Sequence, residues 1–271
     1  TLVRALASSL GLDFRRIQFT PDLMPPDILG TRILEDDGEG KRRFRFERGP
    51  LFANVVLADE INRATPRTQS ALLEAMQEHQ VTVFGDSLSL ELPFCVVATQ
   101  NPIEMEGTYP LPEAQLDRFV SKIEVAVPNE RELCAILEGT TGAAQEELDS
   151  VMTRDEVLEL QAHVRAVPAS SEIVKLVARA VLATDPTAKN APQDVRRYVR
   201  FGSSPRGGQA VLLLAKAHAL LRGELFVARQ DVDVVIAPAL RHRLVQSYEG
   251  EAAGVHPDRL IEQALAAAEA G

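Results

Sequence analysis

Cysteine occurs only twice in these 271 residues, and no apolar run approaches the roughly 18 residues of a membrane span. Cys95 and Cys134 offer neither metal-ligand spacing nor a disulfide framework, so both are expected to be buried thiols in a reducing cytoplasm. The chain has no basic start followed by an apolar stretch and a cleavage site, so no secretory signal is in view. Basic residues are outnumbered by acidic ones, 29 to 39. The formal net charge of −10 argues against non-specific binding to nucleic acid or to an anionic membrane. What remains is an ordinary globular composition, 45% hydrophobic and 25% charged, long enough for one large domain or two modest ones.

The first half alternates two periodicities. Leu2, Val3, Leu6 and Leu10 have near-helical spacing, ended by Gly11, and Phe14, Ile17 and Phe19 read as a short strand. Residues 31–48 read as a β-hairpin, with Asp36-Asp37-Gly38-Glu39-Gly40 at its tip and Phe44 and Phe46 alternating with Arg43 and Arg45. Residues 54–58 (NVVLA) and 94–99 (FCVVAT) are continuous apolar runs of the kind found in buried parallel strands. Between them, residues 65–79 read as a helix with Leu72, Leu73 and Met76 on its apolar side, and 81–92 as a second hairpin turning at Gly85-Asp86-Ser87. A short helix is expected after Pro112 and a strand over 123–127. Strands alternating with helices imply an α/β domain with a mostly parallel sheet. Beyond Pro128 only helical periodicity is visible, over 131–139, 154–166, 171–183, 205–221, 228–241 and 257–268. The expected division is therefore an α/β core over 1–128 and an all-helical domain over 129–271.

The chemistry centres on Val55-Val56-Leu57-Ala58-Asp59-Glu60. An apolar strand ending in two acids puts two carboxylates at the carboxyl edge of the sheet, where open α/β folds bind ligands. In a phosphate-loop NTPase the first, Asp59, would hold Mg²⁺ through its water shell, and Glu60 would orient the attacking water. The run at 94–99 ends in Gln100-Asn101-Pro102, where the Asn101 amide can hold that water from another side. Arg118, beside the apolar Phe119, has the planar, permanently charged fork that binds phosphate oxygens. Arg206 follows Ser204-Pro205 at a helix start, where free N–H groups favour anions. Blander roles suit the rest. His218 and His242 lack partners at metal spacing and read as packing or surface residues. Arg15-Arg16 and 41–45 read as solvated charge runs, and Arg241 and Arg243 suit a helix end. For Arg63 and Arg67 a subunit boundary and local ion pairing both remain open.

The order and spacing of "LADEINRATPRTQSALLEAMQE", "ATQNPIEMEGTYPLPEAQLDRF" and "YVRFGSSPRGGQA" resemble the Walker B, sensor 1, arginine-finger and sensor 2 segments of MoxR-type AAA+ ATPases. The resemblance spans the whole chain. It implies a phosphate-loop NTPase core followed by a helical lid, with ATP and Mg²⁺ as cofactors. It also implies a homo-oligomeric ring, expected to be a hexamer, whose sites are shared between neighbours. Asp59 would be the metal-side carboxylate and Glu60 the water-activating one, Asn101 sensor 1, Arg118 the finger reaching a neighbour, and Arg206 sensor 2. Chaperone-like remodelling of protein clients follows from the resemblance, as does a partner carrying a von Willebrand factor A domain. One departure stands out, because G-x-x-x-x-G-K-S/T does not occur. Residues 1–7 resemble the helix that follows that loop, so the phosphate cradle is expected just upstream. Residues 1–271 alone are then expected to bind ATP poorly. The alternatives are a nucleic-acid-dependent motor on the same ring, disfavoured by charge, and a non-hydrolysing scaffold.

Overall fold

The computed structural model describes residues 2–36, 42–101, 108–141 and 148–269. In chain order the elements begin with α1 (Leu2–Ser9), β1 (Phe14–Gln18), α2 (Pro25–Leu29), β2 (Gly30–Asp36), β3 (Arg42–Arg48) and β4 (Val55–Asp59). They continue with α3 (Pro66–Glu78), β5 (Gln80–Val83), β6 (Asp86–Ser89), β7 (Cys95–Ala98), α4 (Glu113–Leu116), α5 (Glu130–Thr141) and α6 (Arg154–Ala166). The remainder is α7 (Ser171–Ala183), α8 (Gln193–Tyr198), β8 (Val199–Phe201), α9 (Pro205–Leu221), α10 (Arg229–Leu240), β9 (Val245–Gln246), α11 (Tyr248–Ala252) and α12 (Pro257–Glu269). Two compact units result: Thr1–Arg118 with Ser150–His163, and Phe119–Asp149 with Val164–Gly271.

The first unit is α/β. Its sheet has the order β1-β4-β7, with both pairings parallel. The central strand β4 buries Val55, Val56 and Ala58, which explains its unbroken apolar sequence. Helix α3 begins with Pro66 at its first turn and buries Leu72, Leu73 and Ala75. The two expected hairpins form as β2–β3 and β5–β6, while the first one's tip, 37–41, lies outside the described residues. The second turns one residue earlier than its glycine suggested. Phe84 (φ 54°) and Gly85 (φ 87°) are its central pair, and two positive φ angles give a turn whose twist matches the strands. Ser150–His163 is tied to this unit by the Val151 N–H donating to the Ser9 carbonyl (2.8 Å) and by the Arg154–Glu91 ion pair (2.6 Å). Gly11, at φ 61°, lies where a Cβ would meet the Met152 carbonyl oxygen at 2.7 Å.

The second unit is built around α7, α9, α10 and α12, whose buried faces share one apolar core including Val211, Ile236, Leu240, Leu260 and Ile261. Helical periodicity alone overlooked the antiparallel ribbon β8–β9 and the short helices α8 and α11, which are too brief to set up a repeat. The strand expected over 123–127 does not form. Ile123, Val125 and Val127 are 77%, 92% and 91% exposed, and no strand among the described residues pairs with them. Alternating apolar residues become a strand only where a neighbour completes the ladder. Cys95 and Cys134, expected to be buried, are both exposed, because β7 is an edge strand and α5 buries none of its residues.

Among the described residues, no helix is long and apolar enough to cross a membrane.

Candidate active site

Strand β4 delivers Asp59 to the carboxyl end of the sheet, where Gln18 of β1 is its register partner. The chain then turns sharply. Glu60 adopts a left-handed conformation (φ 56°, ψ 49°) and leads into a single 3-10 turn, Ile61–Arg63. Strand β7, in register with β4 up to Ala58↔Ala98, brings Thr99 alongside. The Thr99 backbone pairs on both sides of the turn: its N–H donates to the Ala58 carbonyl (2.9 Å), and its carbonyl accepts from the Ile61 N–H (3.1 Å). Its hydroxyl joins the two acids, donating to Asp59 Oδ1 (2.5 Å) and accepting from the Glu60 N–H (2.9 Å).

The other carboxylate oxygens face cations and an amide. Arg16 donates to Asp59 Oδ2 through Nε (3.0 Å) and a terminal nitrogen (2.5 Å), and also donates to Gln18 Oε1 (2.8 Å). Gln18 in turn donates Nε2 to Glu60 Oε2 (3.1 Å), which Arg63 approaches at 2.9 Å. The Thr99 hydrogen bond, aided by Arg16 and opposed by partial burial, holds the Asp59 carboxyl below the usual carboxylate range. Asp59 is therefore ionised throughout the physiological range. Arg16 stays largely solvent-exposed, as its sequence suggested, but its guanidinium is also engaged by Asp59 and Gln18. A strand that places Arg16 and Gln18 two residues apart points both at the same side, toward the acids. For Arg63, the local ion pair is the arrangement found.

The turn is braced from beneath by Gln69, fully buried on α3, whose Nε2 donates to the carbonyls of Ile61 (3.2 Å) and Tyr109 (3.0 Å). Asn101 lies in the coil two residues beyond Thr99, half-buried, and its neighbour Pro102 is outside the described residues. Arg118 is exposed just past α4 and donates to the Leu73 carbonyl (3.1 Å), while Phe119 is half-buried. In the second unit, Arg206 occupies the exposed first turn of α9, and its N–H is capped by the Ser204 hydroxyl (3.2 Å). The structure thus gathers Asp59 and Glu60 into one network and leaves Arg118 and Arg206 on separate elements.

Known proteins match this arrangement along nearly the whole chain. Residues 1–121 match the family described as "ATPase family associated with various cellular activities (AAA)", and residues 192–264 match the AAA lid domain. Chaperone MoxR1 of Mycobacterium tuberculosis is 43% identical over 97% of this chain and 69% of its own length. The chain belongs to the MoxR family of AAA+ ATPases. Protein MoxR of Paracoccus denitrificans is 34% identical over 98% of this chain and 82% of its own. A solved structure from Cytophaga hutchinsonii, described as a candidate ATPase, superposes with a TM-score of 0.90 at 38% identity. It is matched over 97% of this chain and 79% of that one.

Within this MoxR-family chain, motif reading missed Thr99, Arg16 and Gln18. The signal for Thr99 was present, since a hydroxyl ending the apolar run beside the Asp-Glu strand is poised to bond what that strand carries. The other two needed the β1–β4 register, which composition does not give.

Proposed function

We propose that this protein is a MoxR-type ATPase that couples ATP hydrolysis to chaperone-like remodelling of protein clients in the cytoplasm. The observation that carries this reading is the pair Asp59–Glu60, joined by the Thr99 hydroxyl at the carboxyl end of a parallel sheet. The donor set suits Mg²⁺. Among the described residues no three acidic, histidine or cysteine groups converge on one point. That fits an ion held by one hard carboxylate, waters and nucleotide phosphates rather than by a protein cage. Asp59 would hold Mg²⁺, which neutralises phosphate charge when bound.

The chain's own residues divide the remaining work. Glu60 orients the attacking water and takes up its proton, with Asn101 fixing the same water from the coil that follows β7. Arg16 and Gln18 hold the two acids in place before nucleotide arrives. Arg118 would leave the Leu73 carbonyl to meet phosphate in the next subunit of a ring, expected to be hexameric, and Arg206 would report phosphate to the lid. A partner with a von Willebrand factor A domain remains part of the proposal through the family likeness alone. Glu60→Gln in the full-length protein is expected to keep ATP affinity while turnover falls on the order of 10²-fold or more. Near-normal turnover in that variant would remove Glu60 from the chemistry and this reading with it.

A further inference from the structure

The carboxyl end of α10 leaves four carbonyls without partners inside the helix. The Arg241 N–H takes that of Ala237, and the Arg243 N–H takes that of Leu240. The Ala239 carbonyl accepts from the guanidinium of Arg243. The Pro238 carbonyl accepts instead from the Lys122 N–H (2.8 Å), on the stretch of chain that follows Arg118.

Phe119, Val120 and Lys122 of that stretch are all bound. Arg243, only 8% exposed, donates to the carbonyls of Phe119 (2.7 Å) and Val120 (3.3 Å). His242 Nε2 also meets the Phe119 carbonyl (3.0 Å), and Arg241 donates to that of Lys122 (3.3 Å). Residues 119–122 therefore form a strap fastened to the end of α10 within the second unit. Arg243 has a further neighbour in Gly207, which directly follows Arg206. A Cβ at Gly207 would lie 3.0 Å from Arg243 Cδ and 2.8 Å from Leu240 Cδ2. The stem of Arg243 thus packs against the start of α9, while its head holds the strap.

We propose that Arg243, assisted by His242, is a positioning residue that ties the start of α9, and with it Arg206, to the strap that sets where Arg118 can reach. This rests on the reading of Arg118 as an arginine that acts on a neighbouring subunit. A displacement of α9 on nucleotide binding is passed through one guanidinium to the chain beside Arg118. A lysine cannot replace it, since a single ammonium does not span the carbonyls of Phe119, Val120 and Ala239 in fixed geometry.

Subunit mixing in the full-length protein tests this. Arg243→Lys is expected to lower kcat about tenfold and to leave KM for ATP within about twofold. Mixed with Glu60→Gln, it should regain activity above the sum of the separate rings. Some interfaces then pair a sound Glu60 with a well-held Arg118. Mixed with Arg118→Ala it should regain nothing, because both variants fail on the same side of the interface. Should Arg243→Lys not fold, His242→Ala loosens the same strap and is held to the same outcomes. Full activity of Arg118→Ala alone would overturn the shared-site reading and this proposal together. An inactive, complementing Arg118→Ala beside an Arg243→Lys that is fully active, or that fails to complement Glu60→Gln, would overturn only the positioning role.

Discussion

Replacing Thr99 with valine tests the junction on which the candidate site depends. Valine keeps the branched shape and removes one hydroxyl, which both donates to Asp59 Oδ1 at 2.5 Å and accepts from the Glu60 N–H at 2.9 Å. A hydrogen bond to a charged group contributes about 1.5–3 kcal/mol, and an orphaned N–H costs about 1–3 kcal/mol when buried. Water can partly replace both partners here, because the Asp59 side chain is 23% exposed. The expected loss is therefore about 2 kcal/mol, a drop of roughly 4–8 °C in the unfolding midpoint of the first unit. The sign of the pH dependence follows from Asp59. Its folded carboxyl is held below the ordinary value of 3.8, so its contribution is present above that pH and lost as pH falls below it. Thr99→Val should flatten that acid limb, while Thr99→Ser, which keeps the hydroxyl, should preserve it. Urea titrations from pH 7 down to pH 3 on all three proteins provide the measurement. A valine variant within about 0.5 kcal/mol of the parent at pH 7, with an unchanged acid limb, would refute the bridging role.

A second test concerns Asp231, fully buried and bound by Arg222, the Ala228 N–H and His218. Burial pushes its carboxyl up, but those hydrogen bonds outweigh burial and bring it down to about 2. The second unit should accordingly lose about 2 kcal/mol as pH falls from about 4 to about 2, and Asp231→Asn should cost about 3 kcal/mol at pH 7. Calorimetry showing no acid-dependent loss would rule out that account. Arg16→Ala in the full-length protein, finally, should leave the fold intact and raise the Mg²⁺ concentration needed for half-maximal ATPase activity, because Asp59 loses the cation that holds its orientation. An unchanged Mg²⁺ dependence would show that the Arg16–Asp59 pair is incidental.

Much of the first unit was legible because its apolar runs are local. Residues 54–58 and 94–99 carry no polar interruption, which marks both as strands of a parallel sheet, although only β4 is central and buried. The helices α3, α7, α9 and α12 were legible for the complementary reason, each long enough to show a repeating apolar face. What failed was non-local. The run at 123–127 alternates as a strand should, yet a strand is a property of two segments and not of one. The Asp59–Glu60 pair could be read from the sequence, but its surroundings could not. Arg16 and Gln18 reach it only through a register set 41 residues away (Gln18↔Asp59).

The left-handed turn at Glu60 carries a consequence for anyone engineering this protein. A residue with a side chain at φ 56° costs roughly 1 kcal/mol relative to glycine, so this position is one where stability and chemistry pull in opposite directions. Libraries selected for heat resistance alone would drift there toward glycine or asparagine and would yield sturdier proteins stripped of the carboxylate. Selection at that codon has to be made on turnover, with stability gained elsewhere in the chain.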